Sequence, residues 1–341
     1  MRLADAAVER LQEALDWPDL SATRYEPIEA LGRGGMGTVY RALDRELGRE
    51  VAVKIVRGTD TAPSTTERLL REARVLARLE HPGLVPVHDA GVLPDGRAFY
   101  VMRLVRGTCL DTHVTALGPR LAPRLRLFER VCDAVAFAHA HGVVHRDLKP
   151  ENVMVGPFGE VLVMDWGVAR VLGAEEGTSA GTGTPMGMLP VQAGTGTGTG
   201  TVLGTPGYMA PEQASGDAGI ADQRADVYAL GAILHFLCVD AAPEAAGGAG
   251  LREAAGRLGR TVPRPLAAIV EKALAGDRER RYPHVSGLQR DVAAFLAAEP
   301  VSVHRESLLE RLGRLLDKYR TAVLLVLAYL VMRMALLLWE P

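Results

Sequence analysis

One short stretch constrains this chain more than any other: His145-Arg146-Asp147-Leu148-Lys149-Pro150-Glu151-Asn152, followed thirteen residues later by Asp165-Trp166-Gly167. Transfer of a phosphoryl group asks a protein for little covalent chemistry. It asks for positioning and charge neutralisation, supplied by an acceptor-orienting carboxylate, a lysine and hard oxygen ligands at fixed spacing. Asp147, Lys149, Asn152 and Asp165 form such a set. Any one of them alone reads as well as a turn or cap residue, so the case rests on the four together and on what precedes and follows them.

In chain order come Gly32-Arg33-Gly34-Gly35-Met36-Gly37-Thr38-Val39, then Val51-Ala52-Val53-Lys54, then Glu72 in a helical stretch, then the two strings above, then Gly204-Thr205-Pro206-Gly207-Tyr208-Met209-Ala210-Pro211-Glu212. A glycine-rich loop is weak by itself. Here it opens a β-hairpin, with no helix and no acidic ribose ligand after it, which argues against a dinucleotide-binding unit. Gly32, Gly34 and Gly37 let the backbone approach phosphates without a Cβ in the way and aim amides at them. The ordered series is the protein-kinase signature set. Over roughly residues 25 to 297 the chain resembles the eukaryotic-like serine/threonine protein kinases of bacteria.

That resemblance implies an α+β, two-lobed protein-kinase fold, with a small β-rich N-lobe (25–105), a helical C-lobe (106–297) and ATP in the cleft. It implies that Lys54, on an alternating apolar strand, reaches the α/β-phosphates while paired with Glu72. Asp147 orients the acceptor hydroxyl and takes its proton, and Lys149 contacts the γ-phosphate, as in kinases acting on serine and threonine. Asn152 and Asp165 are the oxygen ligands for Mg²⁺, with Mn²⁺ as a substitute. Leu31, Val39, Ala52 and Met154 enclose the adenine; Met102 is the gatekeeper before a hinge at Arg103 to Val105. Arg103 stands where relatives commonly carry an acid, a change that hinge contacts made by main-chain atoms tolerate.

Two departures matter. Trp166 replaces the more usual phenylalanine, and its expected neighbours are His145, Leu76 and Asp226. Between Asp240 and Pro263 the sequence AAPEAAGGAGLREAAGRLGRT replaces a Pro-Pro-Phe segment and helix, which puts substrate docking there in doubt.

Regulation is implied by the same residues. Arg146 belongs to a basic pocket for a phosphate on the activation segment, where a phosphothreonine orders the loop by charge-assisted pairing. The segment from Asp165 to Glu212 is swollen by a Gly/Thr-rich insertion, 173–201, too poor in apolar residues to bury a core. Thr195, Thr197, Thr199 and Thr201 lie in it; aligned backward from Thr205, Thr197 and Thr199 match autophosphorylation positions of related kinases, in competition with a plain flexible spacer. Thr205 itself is expected to bond Asp147 and Lys149, and Glu212 to pair with Arg281 beneath the substrate platform.

With 341 residues and 48% hydrophobic content there is room for two lobes and a core. A net charge of −2 offers nothing to nucleic acid. Cys109, Cys132 and Cys238 have no metal spacing and fit reduced thiols. Residues 1–24 form an N-terminal extension that Asp5, Glu9 and Arg10 exclude as a secretory signal.

Beyond a basic juxtamembrane segment, 298–320, the stretch 321–339 reads TAVLLVLAYLVMRMALLLW, which as a helix spans about 28 Å. Arg333 opposes insertion by about 2.5–3.5 kcal/mol at mid-membrane, but it lies about two turns from the end and can snorkel. Arg311, Arg314, Lys318 and Arg320 crowd one flank, so the positive-inside rule leaves the kinase domain cytoplasmic on a single-pass anchor in the cell membrane. An interfacial helix or a buried subunit contact competes with this.

The expectation is therefore an ATP-dependent serine/threonine kinase with protein substrates and a transient homodimer for autophosphorylation. A membrane-tethered scaffold without turnover is opposed by the presence of Lys54, Asp147, Asn152 and Asp165. A small-molecule phosphotransferase is opposed by Thr205 and the Ala210-Pro211-Glu212 segment, which serve a peptide platform.

Overall fold

A computed structural model describes residues 17–34, 37–56, 70, 73–166, 170–171, 207–214, 222–243, 251–257, 259–304 and 320–339. The N-lobe is an antiparallel sheet of β1 (Tyr25–Gly34), β2 (Gly37–Asp44), β3 (Arg49–Val56), β4 (Val87–Val92) and β5 (Ala98–Arg103), in the order β1-β2-β3-β5-β4. β2 alternates as a half-buried strand should, with Thr38, Tyr40, Ala42 and Asp44 inside. β3 does not: Val51 through Ile55 are all buried. Val51, Val53 and Ile55 join Tyr25, Tyr40 and Phe99 in the lobe's core. The period of two therefore leaves Ala52 and Lys54 on the opposite face, toward the cleft.

Packing of this lobe begins before residue 25. Leu20 lies in the same core, and Trp17 meets Tyr40 edge-on with ring centroids 5.8 Å apart. Of the helix expected between β3 and β4, residues 73–76 are described; there Ala73 is buried and Leu76 packs on the core of the other lobe.

The C-lobe is built from α1 (Leu110–Leu117), α2 (Leu121–Ala140), α3 (Pro211–Ala214), α4 (Gln223–Val239), α5 (Leu251–Arg257), α6 (Arg264–Ala273) and α7 (Val285–Leu296). α4 is buried nearly all round, the mark of a central post. It starts where the Asp222 carboxylate accepts the Arg224 amide at 2.8 Å. It ends where Asp240 takes left-handed backbone, φ 59°. Phe128, Leu230, Ile233, Leu266, Ile269 and Leu288 interlock around it.

The helix thought to be missing between Asp240 and Pro263 is present in short form as α5, which buries Leu251 and Ala255. The start of this segment is tied back to the lobe, because Asp240 pairs with both Arg124 and Arg260. Arg124, 1% exposed, also donates to the carbonyls of Gly118, Val114 and Leu237, so its buried charge is well partnered.

Short strands frame the loops that matter. β6 (Thr108–Cys109), β8 (Val153–Val155) and β9 (Val161–Val163) make one small sheet, and β7 (Val143–Val144) pairs with β10 (Arg170–Val171). Past α7 the chain is fastened where it leaves the lobe. Buried Asp291 accepts the Tyr282 hydroxyl at 2.7 Å, the Ser302 amide at 2.8 Å and the Ser302 hydroxyl at 2.7 Å. The last helix, α8 (Arg320–Trp339), exposes every described side chain from Leu324 to Met334. Among the described residues no helix is long and apolar enough to cross a membrane; side chains of α8 are described only over that central part.

Candidate active site

The site is organised from below by Asp226, fully buried in the first turn of α4. One carboxylate oxygen accepts the His145 amide at 2.8 Å and His139 Nε2 at 2.7 Å, and the other accepts the Arg146 amide at 2.8 Å. Burial pushes this carboxyl up, but the His139 hydrogen bond, the nearby histidines and the Arg146 amide outweigh it and hold it below the usual carboxylate range. With both amides pinned, Arg146 adopts φ 71°, an uncommon conformation for a side chain of its size. The turn presents Asp147 to the cleft. Asp226 is thus a clamp on the backbone of this loop. Trp166 does meet His145, with ring centroids 4.6 Å apart, and it lines an apolar recess together with Leu76. Its indole N–H donates to the Val163 carbonyl at 3.1 Å, so the bulkier ring leaves no unsatisfied donor.

His145 Nδ1 accepts the Asp147 amide at 3.2 Å, so its proton belongs on Nε2, which donates to the Met164 carbonyl at 2.8 Å. The imidazole therefore bridges the Asp147 loop to the residue just before Asp165. A second bridge runs from the Met164 amide to the Asn152 carbonyl at 2.8 Å. Around Asp147 the expected set converges: Lys149 Nζ lies 3.1 Å from its carboxylate, and Asn152 Nδ2 donates to its carbonyl at 2.7 Å and its carboxylate at 3.2 Å.

Those contacts occupy the amide nitrogen of Asn152 and leave its oxygen for a hard cation. Asp165, at φ 58°, is the second oxygen donor that would hold such a cation. Among the described residues no group of three His, Cys, Asp or Glu side chains could hold a metal alone. The pair suits Mg²⁺, which takes few protein ligands and completes its shell with phosphate and water.

Lys54 is 5% exposed, and its ammonium is held by the Asp165 carboxylate. Burial would depress this lysine, but the Tyr100 hydroxyl and Asp165 more than compensate and leave it above its ordinary value. The partner expected for it, Glu72, lies outside the described residues, as do Thr195, Thr197, Thr199, Thr201 and Thr205. Sequence reasoning overlooked Tyr100, which pairs with Lys54 in the β3–β5 register. It also overlooked Gln213, whose side chain donates to the Arg146 carbonyl at 2.9 Å.

The residues expected to wall a nucleotide lie in β1, β2, β3, β5 and β8, and one glycine has a different reason to be there. Ala52 is buried and registers with Met102, Val39 registers with Lys54, and Met154 sits in β8 opposite Cys109. Leu31 is 48% exposed on the rim. A Cβ on Gly32 or Gly34 would meet nothing within 4 Å, so open space suitable for phosphates lies above them. Gly37 is glycine for an internal reason: at φ 150° a Cβ there would fall 2.1 Å from the Ile55 carbonyl oxygen. Below the site, Arg281 makes a two-pronged pair with Glu212 at 2.7 and 2.8 Å, as expected.

Residues 25–250 match the family described as Protein kinase domain. The chain belongs to the protein kinase family. Among curated relatives, this kinase is 34% identical over 299 residues to Serine/threonine-protein kinase PknD of Protochlamydia amoebophila, covering 80% of this chain and 30% of that protein. It is 36% identical over 323 residues to Serine/threonine-protein kinase PknB of Mycolicibacterium smegmatis, covering 90% and 47%. The kinase therefore stands with the bacterial eukaryotic-like serine/threonine kinases, and it spans between about a third and a half of those relatives' lengths. Its fold matches the crystal structure of the Mycobacterium tuberculosis PknI kinase domain with a TM-score of 0.58 at 25% identity, covering 81% of this chain and 96% of that one. The kinase core extends past residue 250, since α6, α7 and Val301 belong to it.

Proposed function

We propose that the chain transfers the γ-phosphoryl group of ATP to serine or threonine hydroxyls of proteins. The observation that carries this is the setting of Asp147, whose carboxylate is held by Lys149 and Asn152 on a loop clamped by Asp226. Asp147 orients the acceptor hydroxyl and takes its proton as the new oxygen–phosphorus bond forms and ADP departs. Lys149 balances charge at the transferring group, and Lys54 holds the ATP phosphates from the roof of the cleft. Mg²⁺, when bound through Asn152 and Asp165, supplies further neutralisation of the phosphates. The Glu212–Arg281 pair supports a platform for a peptide, which favours proteins over small molecules as acceptors.

Autophosphorylation within 195–201 and tethering through α8 complete the proposal. The exposed run from Leu324 to Met334 is apolar apart from Arg333 and needs a non-aqueous partner, and the basic flank from Arg311 to Arg320 favours a cytoplasmic kinase domain.

The test uses the full chain with Mg²⁺ and labelled ATP, beside Asp147→Asn, with mass spectrometric mapping. Label on Thr195 to Thr201 and on a generic protein acceptor, absent in the variant, is the expected outcome. Nucleotide binding with no transfer to any acceptor would sink the catalytic reading. For the tether, the full chain should remain in carbonate-washed membranes while a chain ending before Thr321 is released; release of both would refute it.

A further inference from the structure

We infer that Tyr100 is a positioning residue for Lys54: its hydroxyl is a neutral second partner that keeps the ammonium aimed at the nucleotide phosphates when Asp165 turns to a metal. The inference deepens the ATP-binding reading above and rests on it.

Lys54 and Tyr100 are directly opposed in the β3–β5 register, so their side chains leave the sheet on the same face. That face is the cleft, because the alternate residues Val53, Ile55, Phe99 and Val101 fill the core behind it. The Tyr100 side chain faces Lys54 across the register, and the Lys54 ammonium is bonded to Asp165. Tyr100, Asp165, Met102, Leu76 and Trp166 line one largely apolar recess, and Lys54 is bonded to its Asp165.

A buried ammonium requires partners, and it has three protons to donate. A cation on the same carboxylate would compete with the lysine for Asp165. A phenol does not have that conflict. It carries no charge, offers lone pairs to the ammonium and is a poor ligand for Mg²⁺ beside carboxylate and phosphate. Its ring lines the recess, on the face of the sheet that it shares with Lys54. Packing alone would be served equally by phenylalanine; the hydroxyl is what packing leaves unexplained.

Tyr100→Phe keeps the ring and deletes only the hydroxyl. Binding of Mg²⁺–ATP and of adenosine, which has no phosphate, is measured for the full chain and for Tyr100→Phe, Lys54→Met and the double variant, with melting temperatures recorded alongside. The expected result is that Tyr100→Phe weakens Mg²⁺–ATP about tenfold, leaves adenosine within twofold, and adds nothing in the Lys54→Met background. Equal weakening of ATP and adenosine would reduce Tyr100 to a wall of the pocket and overturn the inference. So would unchanged ATP binding, or a tenfold loss that persists without Lys54. If the wild type binds Mg²⁺–ATP but transfers nothing, the catalytic reading fails and the binding comparison still decides the role of Tyr100. If it binds no Mg²⁺–ATP, both fall.

Discussion

Asp226→Asn tests whether the clamp beneath the catalytic loop holds it in place. The carboxylate receives three hydrogen bonds, two on one oxygen from His145 N and His139 Nε2 and one on the other from Arg146 N. Asparagine has one acceptor oxygen. Its better orientation keeps the pair of bonds and turns an amide N–H₂ toward the Arg146 amide, donor against donor. One charge-assisted bond of about 1.5–3 kcal/mol is lost, and a buried donor is orphaned at about 1–3 kcal/mol. Relief of the buried charge's desolvation offsets part of this, so the net cost is about 2–3 kcal/mol. At about 2–4 °C per kcal/mol for a domain of this size, the melting temperature should fall by about 4–12 °C. Because the freed residue is Arg146, held at φ 71°, the displacement passes directly to Asp147, and a shift of about 1 Å there costs about 10²-fold in turnover. The assay is thermal unfolding by circular dichroism together with steady-state phosphotransfer to a generic acceptor. A melting temperature within 2 °C of wild type (the lower bound set by about 1 kcal/mol), with turnover within about threefold, would refute the reasoning.

Arg281→Ala should cost about 3–5 kcal/mol, because it strands the part-buried Glu212 carboxylate and the carbonyls of Ala275, Arg224 and Gly276; a shift of the melting curve no larger than that of an exposed-surface substitution would count against the pair. Acid should weaken the fold through Asp226 and Glu212, both held below their ordinary range, Glu212 by Arg281 against the opposing effect of burial. The sign follows from the depressed folded values: their stabilisation is complete above the unfolded values of about 3.9 and 4.3 and is lost as pH falls through and below them. Melting temperature should decline below about pH 4, less steeply in Asp226→Asn, and an identical slope in that variant would contradict it. Gly37→Ala should destabilise the N-lobe by driving a Cβ into the Ile55 carbonyl, while Gly32→Ala, with nothing within 4 Å, should leave melting unchanged; limited proteolysis of the two variants distinguishes them.

The parts of the site that lie close together in sequence were readable from it. Asp147, Lys149 and Asn152 fall within six residues, and their spacing is enough to bring them together once the loop turns. The Glu212–Arg281 pair, 69 residues apart, was readable only through the family resemblance. What the sequence did not yield depends on register and on packing across lobes. Nothing in Phe99-Tyr100-Val101-Met102 says which residue lies opposite Lys54, because a slip of one position would point Tyr100 into the core. The role of Asp226 as a backbone clamp required α4 to be the central post, and the glycine at 37 is explained by the neighbouring strand and not by phosphate. The alternation of β3 put Val51, Val53 and Ile55 in the core, while the burial of Ala52 and Lys54 on its other face, toward the cleft, is something strand periodicity alone cannot report.

The fastening of Ser302 to Asp291 sets a fixed point from which the rest of the chain is paid out. Eighteen peptide links separate it from Arg320, where α8 begins, and whatever path they take they reach at most about 60 Å. With α8 held at a surface, each kinase domain would be confined to a hemisphere of that radius. Two neighbours sharing such a volume would meet at about millimolar effective concentration, far above what a sparse protein attains free in solution. Reaction between copies would then depend on how densely the anchors are spaced, and the number of residues between Ser302 and Arg320 would limit the spacing at which it begins.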